Sequence, residues 1–148
     1  MSCINKFKNQ IFQLKTSTRC KLPLYLNPVS AGFPSPADDY LDRNLDLNEH
    51  LIGNPTATFF VRACGDSMIG ANISDNDILI VDRSISAQNG SIIIAALNGE
   101  LTVKRLKTRA GKLFLIPEND AYPHFEIHEE TSFEIWGVVT YIIHKASR

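Results

Sequence analysis

From residue 57 onward, apolar residues recur with a period of two, and Gly, Asn and Pro interrupt them at short intervals. Successive side chains of a strand point to opposite faces, so this pattern predicts strands over 58–63, 78–82, 91–97, 100–106, 113–116, 125–128 and 133–144. Asn98-Gly99 sits between two β-rich runs and predicts a two-residue hairpin, because both residues tolerate positive φ. Asn89-Gly90 and Ala110-Gly111 predict further turns. The run Ile92-Ile93-Ile94-Ala95-Ala96-Leu97 is apolar on both faces and is expected to form a central, buried strand. No helical period of useful length follows Ile73. The fold class predicted is all-β, with short helical turns confined to the N-terminal part.

Residues 1–21 show neither period and carry five Lys/Arg with no acid, which predicts a mobile basic arm. Residues 22–36 hold four of the seven prolines, so an extended connector is expected there, neither helix nor central strand. Ser35-Pro36-Ala37-Asp38 reads as a helix start, with a capping serine, proline at the first helical position and carboxylates at the positive end. Tyr40, Leu41 and Leu45 supply one apolar face, predicting a short helix over 36–44. Asp46 is expected to cap another turn through Leu51-Ile52, ended by Gly53-Asn54-Pro55. The domain plan is thus an arm over 1–31, a connector with short helices over 32–55, and a β-rich domain over 56–148.

With 148 residues, 44% of them hydrophobic and 21% charged, the chain can bury a real core as one compact domain with extra segments. A net charge of -1 supplies no global field toward nucleic acid or an anionic membrane. Nothing approaches the ~18 consecutive apolar residues of a membrane helix, and the N-terminal stretch lacks the continuous apolar run of a secretory signal. Cys3, Cys20 and Cys64 are odd in number and show no C-x-x-C spacing, which argues against a disulfide framework and suits a reducing cytosol. Between Leu113 and His144 there are six acidic residues and no Lys or Arg, expected as a solvated acidic rim, with a docking surface for a basic partner as the alternative.

Candidate chemistry gathers at Gly65-Asp66-Ser67-Met68, where a turn after a strand can present a hydroxyl from a bend. A serine hydroxyl needs a base to take its proton. One pairing would use His50, His124, His128 or His144, none of which lies in a distinctive setting. The motif is G-x-S-x-x-G, not the G-x-S-x-G elbow of α/β hydrolases. A second pairing uses Lys104, on a strand whose alternation puts Thr102, Lys104 and Leu106 on one face. Burial against apolar surface would lower its pKa and make a neutral amine available, whereas an exposed lysine would simply reach solvent. The third possibility is a plain turn serine without catalysis. Metal, phosphate-loop and dinucleotide patterns are absent, so no cofactor is expected.

Ala31-Gly32-Phe33-Pro34-Ser35-Pro36-Ala37, then Gly65-Asp66-Ser67-Met68, then Thr102-Val103-Lys104, occur here in an order that resembles the UmuD family of LexA-like self-cleaving serine peptidases. The run Ile78-Leu79-Ile80-Val81-Asp82 after Ser74-Asp75-Asn76-Asp77 also fits, and the resemblance extends from about Gly32 to Val139. It implies a strongly bent β domain, Ser67 as nucleophile, Lys104 as general base and Ala31–Gly32 as the scissile bond, so that residues 1–31 are removed. It further implies a homodimer that cuts itself on a RecA–DNA filament after DNA damage, then joins a UmuC-like subunit in an error-prone polymerase. Independently, a bond in an extended, proline-flanked connector can enter a cleft as an added strand, and Gly32 leaves room beside a nucleophile. Backbone N–H groups of Asp66 and Ser67 are the expected oxyanion donors.

Three other readings differ in class. A LexA-type repressor is not expected, since only 31 residues precede Gly32 and they hold no helix-turn-helix pattern; direct sequence-specific DNA binding is not expected either. A signal peptidase would need a membrane anchor. A non-enzymatic polymerase-binding module would keep its arm intact after DNA damage.

Overall fold

The alternating stretches become a sheet in the computed structural model, which describes residues 11–12, 19–25, 31–32 and 41–146. Ten strands lie among the described residues: β1 (Ile11–Phe12), β2 (Lys21–Tyr25), β3 (Leu41–Asp46), β4 (Thr58–Arg62), β5 (Ile78–Asp82), β6 (Ile92–Leu97), β7 (Glu100–Arg109), β8 (Lys112–Ile116), β9 (Phe125–Ile127) and β10 (Phe133–Ile143). They fall into two units. One holds β1 and everything from Asn54 on; the other holds β2, β3 and the helix α1 (Leu47–Leu51).

The larger unit is an eight-stranded sheet in the order β1-β4-β5-β10-β6-β7-β8-β9, antiparallel at every pairing. It curls into a half-barrel, the all-β architecture expected. β6 lies between β10 and β7 and is buried on both faces, as its unbroken apolar run requires. Ile94 joins Val61, Met68, Leu79 and Val81 in one cluster, while Ile93 and Ala95 join Leu106 and Leu115 in another. Each fully buried side chain of this size contributes about 1.5–3 kcal/mol.

Asn98 (φ 50°) and Gly99 (φ 82°) make the predicted two-residue hairpin, setting Leu97 opposite Glu100. Both central φ angles are positive, the twist that matches flanking strands. Ala110 (φ 51°) and Gly111 (φ 75°) turn β7 into β8 in the same way, with Arg109 opposite Lys112. β10 carries two register shifts, between Ile135 and Gly137 against β6 and between Val139 and Tyr141 against β5. Such bulges bend a strand and increase its twist, so one long strand can serve both halves of the curled sheet.

The structure departs from expectation in three places, two of them in the N-terminal part. Leu41–Asp46 is a strand, not the end of a helix over 36–44; residues 33–40 lie outside the described residues. Its pairing with β2, Leu45 opposite Leu22 and Asn44 opposite Pro23, satisfies backbone groups that a short local helix would leave open. Pro23 is tolerated because this ribbon has only two strands and therefore only edges. The turn after it does form: Asp46 accepts from the Asn48 N–H at 2.9 Å and caps α1. Within the expected arm, Ile11 and Phe12 pair with Val61 and Phe60, extending the sheet beyond β4. Cys20 is a free thiol as expected, but Cys64 is disulfide-bonded, with its partner outside the described residues. Odd number and spacing were therefore poor guides to the state of that sulfur.

Candidate active site

β4 delivers the chain to the serine. Beyond Arg62, Ala63 stays tied to the turn before β5: its N–H donates to the Asp77 carbonyl at 2.7 Å and its carbonyl accepts from Asn76 N–H at 3.0 Å. Gly65 then reverses the backbone at φ 87°, a conformation open chiefly to glycine, and its N–H donates to Asp75 Oδ1 at 2.8 Å. Met68 and Ile73 drop into the core, leaving Ser67 half-buried between the glycine bend and the methionine anchor. A single 3₁₀ turn, Ile69–Ala71, closes the loop.

β7 delivers the lysine. Lys104 pairs with Ile93 in the ladder and is only 9% exposed. Its Nζ donates to the Val103 carbonyl at 3.0 Å, to Thr102 Oγ1 at 3.0 Å and to Ser67 Oγ at 3.4 Å. Among the described residues no carboxylate forms an ion pair with it. Burial, with no opposite charge to offset it, lowers the pKa of this amine below the ordinary 10.5. The strand lysine has not taken the exposed alternative.

Ser67 and Lys104 face a cleft of about 370 Å³ whose other walls include Leu97, Leu101, Leu115 and Phe125. A largely apolar cleft that also presents a hydroxyl and an amine suits a short extended segment of chain. None of the four histidines lines it. His144 Nδ1 lies 2.6 Å from Asp77 Oδ1 instead, and His128 is exposed beside Glu126. Ala31 and Gly32 are exposed and belong to the other unit.

Two side chains with no signal in the sequence reading also meet the serine loop. Tyr122 Oη donates to Asp66 Oδ1 at 2.5 Å, and Asn119 Nδ2 donates to the Asp66 carbonyl at 3.1 Å. The hydrogen bond to Asp66, and then its charge, push the Tyr122 phenol above its ordinary pKa. More than fifty residues separate these partners, so only the fold reveals them. The acidic stretch is also less solvated than a plain rim: Glu118 pairs with Arg105, and Glu126 pairs with Lys112 at 2.9 Å, which lowers its pKa.

Comparison with known proteins gives the family. The model of the Peptidase S24-like family matches residues 23–140. Protein MucA of Salmonella typhimurium is 44% identical over 136 residues, covering 90% of this chain and 92% of its own. Protein ImpA of Salmonella typhimurium is 46% identical over 123 residues, covering 83% of each. The LexA repressor of Paracidovorax citrulli is 38% identical over 122 residues, 82% of this chain but 54% of the repressor. The chain belongs to the S24-like peptidases, serine peptidases of the LexA type, and within them to the UmuD family.

Proposed function

We propose that this chain cuts its own Ala31–Gly32 bond, with Ser67 as nucleophile and Lys104 as general base, and so releases residues 1–31. The observation that carries the reading is the buried amine 3.4 Å from Ser67 Oγ, without a carboxylate partner among the described residues. A neutral lysine has two N–H donors and one lone pair. Thr102 Oγ1 and the Val103 carbonyl take the two donors, which turns the lone pair toward Ser67. The hydroxyl proton passes to Nζ while Oγ bonds to the Ala31 carbonyl carbon. The Asp66 and Ser67 N–H groups, which donate to no acceptor among the described residues, are available for the oxyanion. Collapse breaks the C–N bond, the lysine ammonium returns its proton to the Gly32 amine, and water hydrolyses the ester. Tethering the bond to its catalyst supplies effective concentration in place of substrate affinity.

Membership of the UmuD family supports the wider reading. The trigger is a RecA–DNA filament formed after DNA damage. The processed chain acts in the cytoplasm as a homodimer that joins a UmuC-like subunit in error-prone translesion synthesis during the SOS response.

A serine-directed fluorophosphonate tests the nucleophile. The expected adduct maps to Ser67 in the wild type and is lost in Lys104→Met, which removes the base. Modification of another serine, or labelling of Ser67 that is indifferent to Lys104→Met, refutes the dyad.

A further inference from the structure

The loop between β8 and β9 is fastened to the sheet at one point and to the serine loop at three. The Glu118 carboxylate pairs with Arg105, whose Nη1 donates to the Gly90 carbonyl at 2.7 Å, fixing the start of the loop on the sheet. The Glu118 carbonyl accepts from Gly70 N–H at 2.8 Å, and a Cβ on Gly70 would lie 2.7 Å from that oxygen, so the approach requires glycine. Asn119 Nδ2 then reaches the Asp66 carbonyl, and Tyr122 Oη the Asp66 carboxylate. The orientation of the Asn119 amide is set by its partners, since Oδ1 accepts from Ala121 N–H at 3.0 Å and the other end faces a carbonyl.

These contacts bear on one peptide plane. The Asp66 carbonyl accepts from both Asn119 Nδ2 and the Ile69 N–H, the latter at 3.2 Å. The Asp66–Ser67 peptide is trans, so the Ser67 N–H points away from the carbonyl those donors hold. Holding the oxygen aims the hydrogen. Resting on the Ser67–Lys104 reading, we propose that Asn119, aided by Tyr122, is a positioning residue: it orients the Ser67 N–H as an oxyanion donor through the opposite end of the same peptide. Without it, the Asp66 carbonyl keeps only the turn bond from Ile69 N–H, and the plane can rotate the donor off line. A donor lost from an oxyanion hole costs on the order of 10²–10³ in rate, and a misaimed one less.

The test is self-cleavage of purified full-length chains across pH, with melting temperatures alongside. Asn119→Ala should lower the alkaline plateau about 10- to 100-fold per folded molecule, with the midpoint of the pH profile unmoved because Lys104 is untouched. Asn119→Asp keeps the acceptor for Ala121 but puts a charged, acceptor-only oxygen where the donor faced the Asp66 carbonyl, so it should fall at least as far. A purely structural role for Asn119 would instead leave Asn119→Asp at the wild-type rate. Wild-type plateau rates in both variants, or a displaced midpoint in Asn119→Ala, overturn the inference. If neither variant folds, Tyr122→Phe decides, since it deletes one exposed hydroxyl: a several-fold loss supports the positioning role and an unchanged rate overturns it. Failure of the wild type to cut, or cutting by Ser67→Ala, would instead refute the dyad on which the inference rests.

Discussion

Replacing Lys104 by arginine keeps a cation at the base position but removes the possibility of a neutral one, because guanidinium stays protonated at every accessible pH. The native lysine is 9% exposed, and burial lowers its pKa from 10.5. Self-cleavage by the wild type should follow the neutral fraction of that amine. Below the midpoint the rate should climb about tenfold per pH unit, so purified protein at pH 9 should cut itself about 100-fold faster than at pH 7 if both lie below the midpoint. The plateau should arrive below pH 10.5, since the amine in the cleft is desolvated. The same displacement has a stability consequence of definite sign. A folded-state pKa below the unfolded one means the unfolded chain binds more protons between the two, so this lysine costs stability at neutral pH. That cost is relieved as pH rises through the folded-state value toward 10.5. It amounts to about 1.4 kcal/mol for each pH unit between the two midpoints. Lys104→Met should therefore melt higher than wild type at pH 7, with the gap closing at alkaline pH. The assay is quantitative mass spectrometry of the new N-terminus from pH 6 to 11, with thermal melts of the same samples. Cleavage by Lys104→Arg at the same bond, or a wild-type rate flat with pH, refutes Lys104 as the base.

Other substitutions probe the substrate and the fold. Gly32→Val should slow cleavage about 10²-fold by displacing the bond from the nucleophile, while the melting temperature stays put because a Cβ there meets nothing within 4 Å; a matching drop in both would contradict it. Ala110→Asn should stabilise by about 0.5–1 kcal/mol, raising the melting temperature by about 2 °C, since asparagine accepts the left-handed conformation that alanine adopts at φ 51°. Gly137→Ala should destabilise by about 1–3 kcal/mol in a denaturant titration, because its Cβ would lie 2.7 Å from Val81 Cγ1 and 3.1 Å from the Asp82 carbonyl.

The strands after residue 57 were legible because alternation and turn chemistry agree locally: Asn98-Gly99 specifies its hairpin, and Ile92–Leu97 can be buried only between two neighbours. Leu41–Asp46 was misread because a helix start and a short apolar face are local signals, whereas its partner strand lies about twenty residues earlier. Ser67 and Lys104 could each be singled out by type and context. Their separation of 3.4 Å, and the burial that distinguishes a base from a surface lysine, arise only when β4 and β7 enter one sheet. Asn119 and Tyr122 left no trace in the sequence, since their work is done on a backbone carbonyl and a turn carboxylate brought to them by the fold.

The central claim is that the chain cuts one of its own bonds with its own serine. The direct measurement is intact mass of purified wild type and Ser67→Ala after incubation at alkaline pH, free of other proteases. The wild type should yield two products, residues 1–31 and residues 32–148, while Ser67→Ala remains one full-length species with an unchanged melting temperature. A product beginning anywhere other than Gly32, or loss of the first 31 residues from Ser67→Ala at the wild-type rate, would contradict the account.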